Sequence, residues 1–276
     1  APRGEAKSTF VSLFFVLWAV LTGRKHYILI IADALEQAAS LLGAVKDELE
    51  FNEALKRDFP GAGKGHVWNV GTVVTPGNVK IQALGAGKRM RGLRHGPHRP
   101  DLIVLDDLEN DGNVDKPEQR DKLQSWLQKT VLNLGAADGS MDVVYVGTLL
   151  HYDSVLARTL RKPLWKARTF RSILRWPDRM DLWDEWESLL SSRGEAEARR
   201  FYRQHSAKME AGAEVSWPAS RPLYRLMCLR AEDREAFDSE QQNDPLSANE
   251  APFNGCITFW VDRSRDWLLF GAGDPS

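Results

Sequence analysis

The sequence predicts an α/β fold built on a mainly parallel sheet. Two observations predict it. Three short apolar runs, within 26–33, 101–105 and 142–146, read as strands buried on both faces. Helical patterns lie between them, and strands that alternate with helices give parallel crossovers. The chain has 276 residues, room for one large domain or two smaller ones. Its 43% apolar and 27% charged residues are the balance of an ordinary soluble globular protein.

The elements follow in order. Residues 1–9 form a loop, and Ser8 to Thr22 is the helix behind it. The apolar run inside that helix, Phe10 to Leu21, is about a dozen residues, short of the roughly 20 that span a bilayer, so it is a core helix. The first strand is 26–33. A helix over 35–57 carries Leu41, Leu42, Val45, Leu49 and Leu55 at mixed three and four spacings, and Pro60, Gly61 and Gly63 end it. Two weaker strands, 67–74 and 79–84, are split by Pro76-Gly77. A basic loop over 85–100 precedes the strand 101–105, which runs into acids. A helix over 118–134 leads to the strand 142–146.

After residue 155 the character changes. Between Arg158 and Arg179 stand eight Arg or Lys against one acid, Asp178, with Trp165 and Trp176 interleaved; a surface that contacts phosphates or a partner fits them, and a solvated helical face with core aromatics is the commoner pattern. A charged, exposed helix pair is expected over 183–205 and a strand over 257–271. Net charge is −1, so any nucleic-acid contact must come from local basic patches. Cys228 and Cys256 lie far apart without His or Cys neighbours at metal spacing, which predicts two reduced thiols.

Three segments carry chemistry. Residues 1–9 read Ala-Pro-Arg-Gly-Glu-Ala-Lys-Ser-Thr. A phosphate-binding loop needs backbone N–H groups facing the phosphates, a Lys for the β and γ oxygens, a hydroxyl for Mg²⁺ and a helix N-terminus behind. Lys7, Ser8 and the helix from Phe10 meet three of these demands, while Ala1 and Ala6 stand where the standard pattern has glycine. The second segment is the apolar strand that ends in Asp106-Asp107, followed by Glu109. Paired acids at a strand end suit Mg²⁺ binding by one carboxylate and orientation of the attacking water by the next. Third, the strand 142–146 ends in Gly147-Thr148, a small polar step able to sense a γ-phosphate. In the basic loop Lys88, Arg89, Arg91, Arg94 and Arg99 meet no acid before Asp101, and either a solvated loop or a finger to a neighbouring subunit's γ-phosphate fits them. Arg91 is the first choice for that finger.

In this order, PRGEAKST, RMRGLRHGPHRPDLIVLDDLEND, VVYVGTLLHYDS and FDSEQQNDP resemble the large terminase subunits of tailed bacteriophages and prophages, over essentially the whole chain. The resemblance implies a RecA-like P-loop ATPase core over 1–155, a helical lid and linker over 156–255, and the start of a ribonuclease-H-like nuclease over 256–276. It implies ATP and Mg²⁺ as ligands. Arg3, Gly4, Glu5, Ala6, Lys7, Ser8 and Thr9 would form the nucleotide loop, with Arg3 at the family's spacing before Lys7. Ser8 and Asp106 would hold Mg²⁺, and Thr148 would couple hydrolysis to the lid. The family's paired acids are usually Asp-Glu; here they are Asp-Asp, which divides the base between Asp107 and Glu109. Asp274 resembles the first acid of the nuclease, which uses divalent metals; its other acids would lie beyond Ser276, so the chain is not expected to cut DNA.

The implied partners are double-stranded DNA, a small terminase subunit, a portal protein and further copies in a ring on the procapsid, in the cytoplasm of an infected or lysogenic bacterial host and without a membrane. The family places one strand and the adenine contacts before the loop. Their absence predicts a gap inside the sheet, poor folding and weak ATP binding. Two rival classes are a helicase-like motor and a non-catalytic α/β scaffold.

Overall fold

The computed structural model of the chain describes residues 1–245. A π-helical stretch, Thr9–Phe15, runs directly into α1 (Val16–Leu21). β1 (Tyr27–Ala32) is buried at every residue. α2 (Leu35–Phe51) packs Ala38, Leu42, Val45 and Leu49 inward. The expected helix over 35–57 is broken at Asn52, which leaves helical geometry and caps α3 (Glu53–Asp58) by accepting from Leu55 N at 3.2 Å. An Asn side chain competes for backbone N–H groups, so it starts a helix more readily than it continues one.

The expected strand 67–74 is a hairpin of β2 (Val67–Trp68) and β3 (Thr72–Val74). Asn69 Oδ1 makes the turn by accepting from Gly71 N at 3.1 Å and Thr72 N at 2.7 Å. β4 (Lys80–Gly85) and the fully buried β5 (Leu102–Asp106) follow. After α4 (Asp111–Val114), the expected helix 118–134 is α5 (Pro117–Lys129) plus a 3-10 turn, Val131–Asn133, that drops Val131 into the core. β6 (Asp142–Val146) was expected to be buried on both faces. It is half-buried, with Asp142 exposed, because among the described residues it pairs only with β5 and forms an edge.

The sheet order is β2-β3-β4-β1-β5-β6. β4, β1, β5 and β6 are parallel neighbours, and the β2-β3-β4 edge is antiparallel. The expected α/β fold with a mainly parallel sheet is therefore present. Among the described residues the six strands are contiguous, and β6 is left as an open edge. Each face has its own core. Ile28 and Ile30 pack under α1 and α2, while Tyr27, Leu29 and Ile31 pack with Ile103, Leu127 and Val131 on the other side. This is the period-two alternation of a strand covered on both sides.

The chain continues through α6 (Val155–Leu160), β7 (Ile173–Arg175), α7 (Met180–Arg193), α8 (Glu195–Met209), β8 (Glu214–Val215), α9 (Leu223–Glu232) and α10 (Arg234–Glu240). β7 and β8 form a small antiparallel pair. A third core gathers Trp183, Trp186, Met209, Leu226 and Phe237. The α7–α8 pair is thus not merely an exposed charged surface. Trp183 and Trp186 are each 1% exposed, and Trp183 Nε1 donates to Met209 O at 2.7 Å. Among the described residues no helix is long and apolar enough to cross a membrane. Cys228 is a free thiol; Cys256, the strand expected over 257–271 and Asp274 lie outside the described residues.

Candidate functional site

The parallel strands aim their C-terminal ends at one edge, the usual ligand side of an open α/β sheet. Register sets Ala32, Asp106 and Val146 side by side there. The first residues of the chain cross this edge. The Ala1 amino group donates to Gly147 O at 2.7 Å, and Thr148 Oγ1 donates to Ala1 O at 3.3 Å. The loop turns through Gly4 (φ 79°) and Ala6 (φ 54°). Ala6, at a glycine position of the standard loop, takes the left-handed conformation that glycine adopts freely, and for a residue with a Cβ that costs about 1–3 kcal/mol.

The turn delivers Lys7 and Ser8 onto the acids at the end of β5. Lys7 Nζ lies 2.9 Å from Asp107 Oδ2, and Ser8 Oγ donates to Asp106 Oδ1 at 3.0 Å. Ser12, one turn further along the helix, donates to Asp106 Oδ2 at 2.5 Å. Two segments nearly a hundred positions apart, selected independently in the sequence, therefore meet through both of their key pairs.

Asp106 is fully buried. Desolvation pushes its pKa up, Asp107's charge adds to the rise, and the two serine hydroxyls and Lys7 oppose it. Its partners are hydroxyls, and the ammonium of Lys7 goes to its neighbour. Two hard oxygens, from Ser8 and Asp106, so close together suit Mg²⁺, which binds through one or two protein oxygens plus phosphates and water. Among the described residues no group of three or more His, Cys, Asp or Glu forms a metal site.

The other expected residues have definite places. Glu109 accepts from Val155 N at 2.7 Å and Leu156 N at 3.0 Å, so it sits on the N-terminus of α6, and burial raises its pKa. Arg3 is mostly exposed and pairs with Glu240 at 2.9 Å, while its N–H donates to Glu240 O at 2.9 Å. Glu5 Oε1 accepts from Ser172 Oγ at 2.8 Å and Ser216 Oγ at 2.5 Å. Thr9 is exposed and opens the π-helical stretch, outside the Lys7–Asp107 cluster. Arg91 is exposed on the basic loop, with Met90 buried beneath it and no tie to the Lys7–Asp107 cluster. That loop is held by Trp126 Nε1 donating to Lys88 O at 2.9 Å.

Sequence reasoning missed three residues. Ser12 was absorbed into an apolar run, although a polar residue on a buried helix face, one turn after Ser8, is a usable signal. Asp33, at the end of β1, receives Asn110 Nδ2 at 2.5 Å and Asn113 Nδ2 at 3.2 Å. It shares a polar cavity of 160 Å³ with Arg3, Gln37, Asp107, Glu109 and Thr148. Arg221 rests on the loop at Gly4, and no sequence signal marks it. No protein-family model matches the chain, and no curated protein matches it.

Proposed function

We propose that the chain is the ATPase part of the large terminase subunit of a tailed phage or prophage, with a RecA-like core that hydrolyses ATP to drive double-stranded DNA into a procapsid. The observation that carries the reading is the meeting of Lys7 and Ser8 with Asp107 and Asp106. A solvated lysine at a capped helix start would not pair with the acid that follows a buried carboxylate at the end of a central strand, while the next residue holds that carboxylate.

Each residue then has a task. Ser8 and Asp106 would hold Mg²⁺, whose charge would neutralise the γ-phosphate oxygens and offset the buried Asp106 carboxylate. Lys7 exchanges Asp107 for the β and γ oxygens when ATP enters, because a phosphate is the more highly charged partner. That exchange frees Asp107 to orient the attacking water, so the water-orienting group is released only when the nucleotide is present. Ala1 and Gly147 keep Thr148 beside the loop, where it can report γ-phosphate loss. In the same reading Arg91 reaches a neighbouring subunit in the ring on the procapsid. The small terminase subunit and the portal are the other partners, in the cytoplasm of a bacterial host.

The test is Mg²⁺-dependent ATP hydrolysis by the chain and by Lys7→Ala. Loss of about 100-fold or more is expected, the scale of removing one transition-state cation or donor. Equal rates in both proteins would sink the ATPase reading and leave a non-catalytic scaffold.

A further inference from the structure

The loop that carries Lys7 is also a joint. Three consecutive residues reach three places in the C-terminal unit: Arg3 goes to Glu240, Glu5 to Ser172 and Ser216, and Gly4 lies against Arg221. A Cβ built on Gly4 would collide with Arg221 Nη2, so the guanidinium rests directly on the loop backbone. Its other terminal nitrogen, Nη1, donates to Gln241 Oε1. Among the described residues no carboxylate lies within ion-pair distance of Arg221, whereas Arg3 is neutralised by Glu240.

We propose that Arg221 is a further cation of the nucleotide site, which binds the phosphates held at the loop and so ties the C-terminal unit to nucleotide occupancy. The inference rests on the nucleotide reading above. A guanidinium parked on a neutral amide oxygen, against a loop suited to phosphate, gains by exchanging that oxygen for an anionic one, which adds opposite charge and a bidentate geometry to the bond. The planar fork of arginine matches phosphate geometry. Gln241 makes the exchange consequential. It is buried, its Oε1 also accepts from Ser172 Oγ at 3.2 Å, and its backbone O accepts from Ser172 N at 2.8 Å. Ser172 is the residue that holds Glu5 of the loop. Withdrawing Arg221 from Gln241 therefore alters the anchor that docks the loop on the unit.

The experiment is calorimetric titration of the 276-residue chain with ATP, ADP and AMP in Mg²⁺, with Arg221→Ala, Arg221→Gln and Arg221→Lys beside it. Arg221→Ala is expected to weaken ATP about 10- to 100-fold, the scale of a lost hydrogen bond to a charged group. The loss should shrink from ATP to ADP to AMP. Arg221→Gln, which keeps a donor for Gln241 without the charge, should behave like Arg221→Ala, and Arg221→Lys should recover part of the affinity. An equal loss for all three nucleotides, or full affinity in Arg221→Gln, would show a purely structural contact and overturn the proposal. Lys7→Ala separates the two ideas. If it loses ATP while Arg221→Ala does not, only the Arg221 role falls. If the unmodified chain binds none of the three, the nucleotide reading falls and takes this inference with it.

Discussion

Asp106 is a buried carboxylate whose side-chain hydrogen bonds come from two hydroxyls, Ser8 and Ser12. Burial raises its pKa above the ordinary 3.8. The folded state then binds more protons than the unfolded state across the window that starts near 3.8. Stability falls as pH rises through that window, and the full penalty remains above the folded-state value. Asp106→Asn removes the charge and keeps the shape. It should stabilise the ligand-free chain at neutral pH by about 1–3 kcal/mol, on the scale of a poorly compensated buried polar group, and flatten the acid side of its pH–stability curve. Urea melts across pH 4 to 8 check this; a destabilised Asn variant at pH 7 would mean that Asp106 is already compensated. At this scale much of the site was legible. Lys7, Ser8, Asp106 and Asp107 each stand in a local pattern whose chemistry is readable without a partner. Ser12 was hidden by its apolar neighbours. Arg221 was hidden because its role comes from a contact across more than two hundred residues, made possible by the missing side chain of Gly4.

At the scale of elements, the strands of the parallel core were legible because burial on both faces leaves only apolar residues. The errors fall where a single polar residue reorganises the backbone, at Asn52 between α2 and α3 and at Asn69 in the β2–β3 turn. β6 reads like a central strand in composition, and only its neighbours decide that it is an edge. Glu109 shows the same dependence on context. In sequence it is a spare acid after the paired aspartates. In the fold its carboxylate receives two N–H groups at the start of α6, where Ser154 also caps Ala157 N at 3.1 Å. An anion there satisfies orphan donors and meets the positive end of the helix. Glu109→Gln should therefore cost about 0.5–2 kcal/mol, the range of a lost cap. Amide exchange at Val155 and Leu156 should speed up while exchange in β1 stays slow. Unchanged protection at α6 would show that Ser154 and packing suffice.

At the scale of the whole molecule, the three cores divide the chain. Two cover the faces of one sheet and cannot be separated, since β1 contributes alternate residues to both. The third, around Trp183 and Trp186, draws on residues from 173 onward and shares no member with them. Among the links between the two parts, those at the loop are polar: Arg3 to Glu240, Glu5 to Ser172 and Ser216, and Leu149 N to Asn243 Oδ1 at 2.9 Å. The one ion pair among them, Arg3–Glu240, is largely exposed on the Arg3 side and contributes little, roughly 0–1 kcal/mol, and the hydrogen bonds add about 0.5–1.5 kcal/mol each, so they join the parts without fusing their unfolding. Trp183→Ala tests this division. It removes an indole that packs on Trp186, Tyr202 and Tyr224 and donates to Met209 O, a loss of about 3–5 kcal/mol for a buried aromatic. If the cores are independent, calorimetry should show the C-terminal transition moving to lower temperature while the sheet transition stays where it was. Mg²⁺·ATP should still raise the sheet transition in the variant, because Lys7, Ser8 and Asp106 all belong to that part. A single transition that shifts as one would mean that the loop joint carries far more energy than polar surface contacts supply. The molecule would then be one cooperative body, in which the C-terminal helices cannot move without unfolding the site.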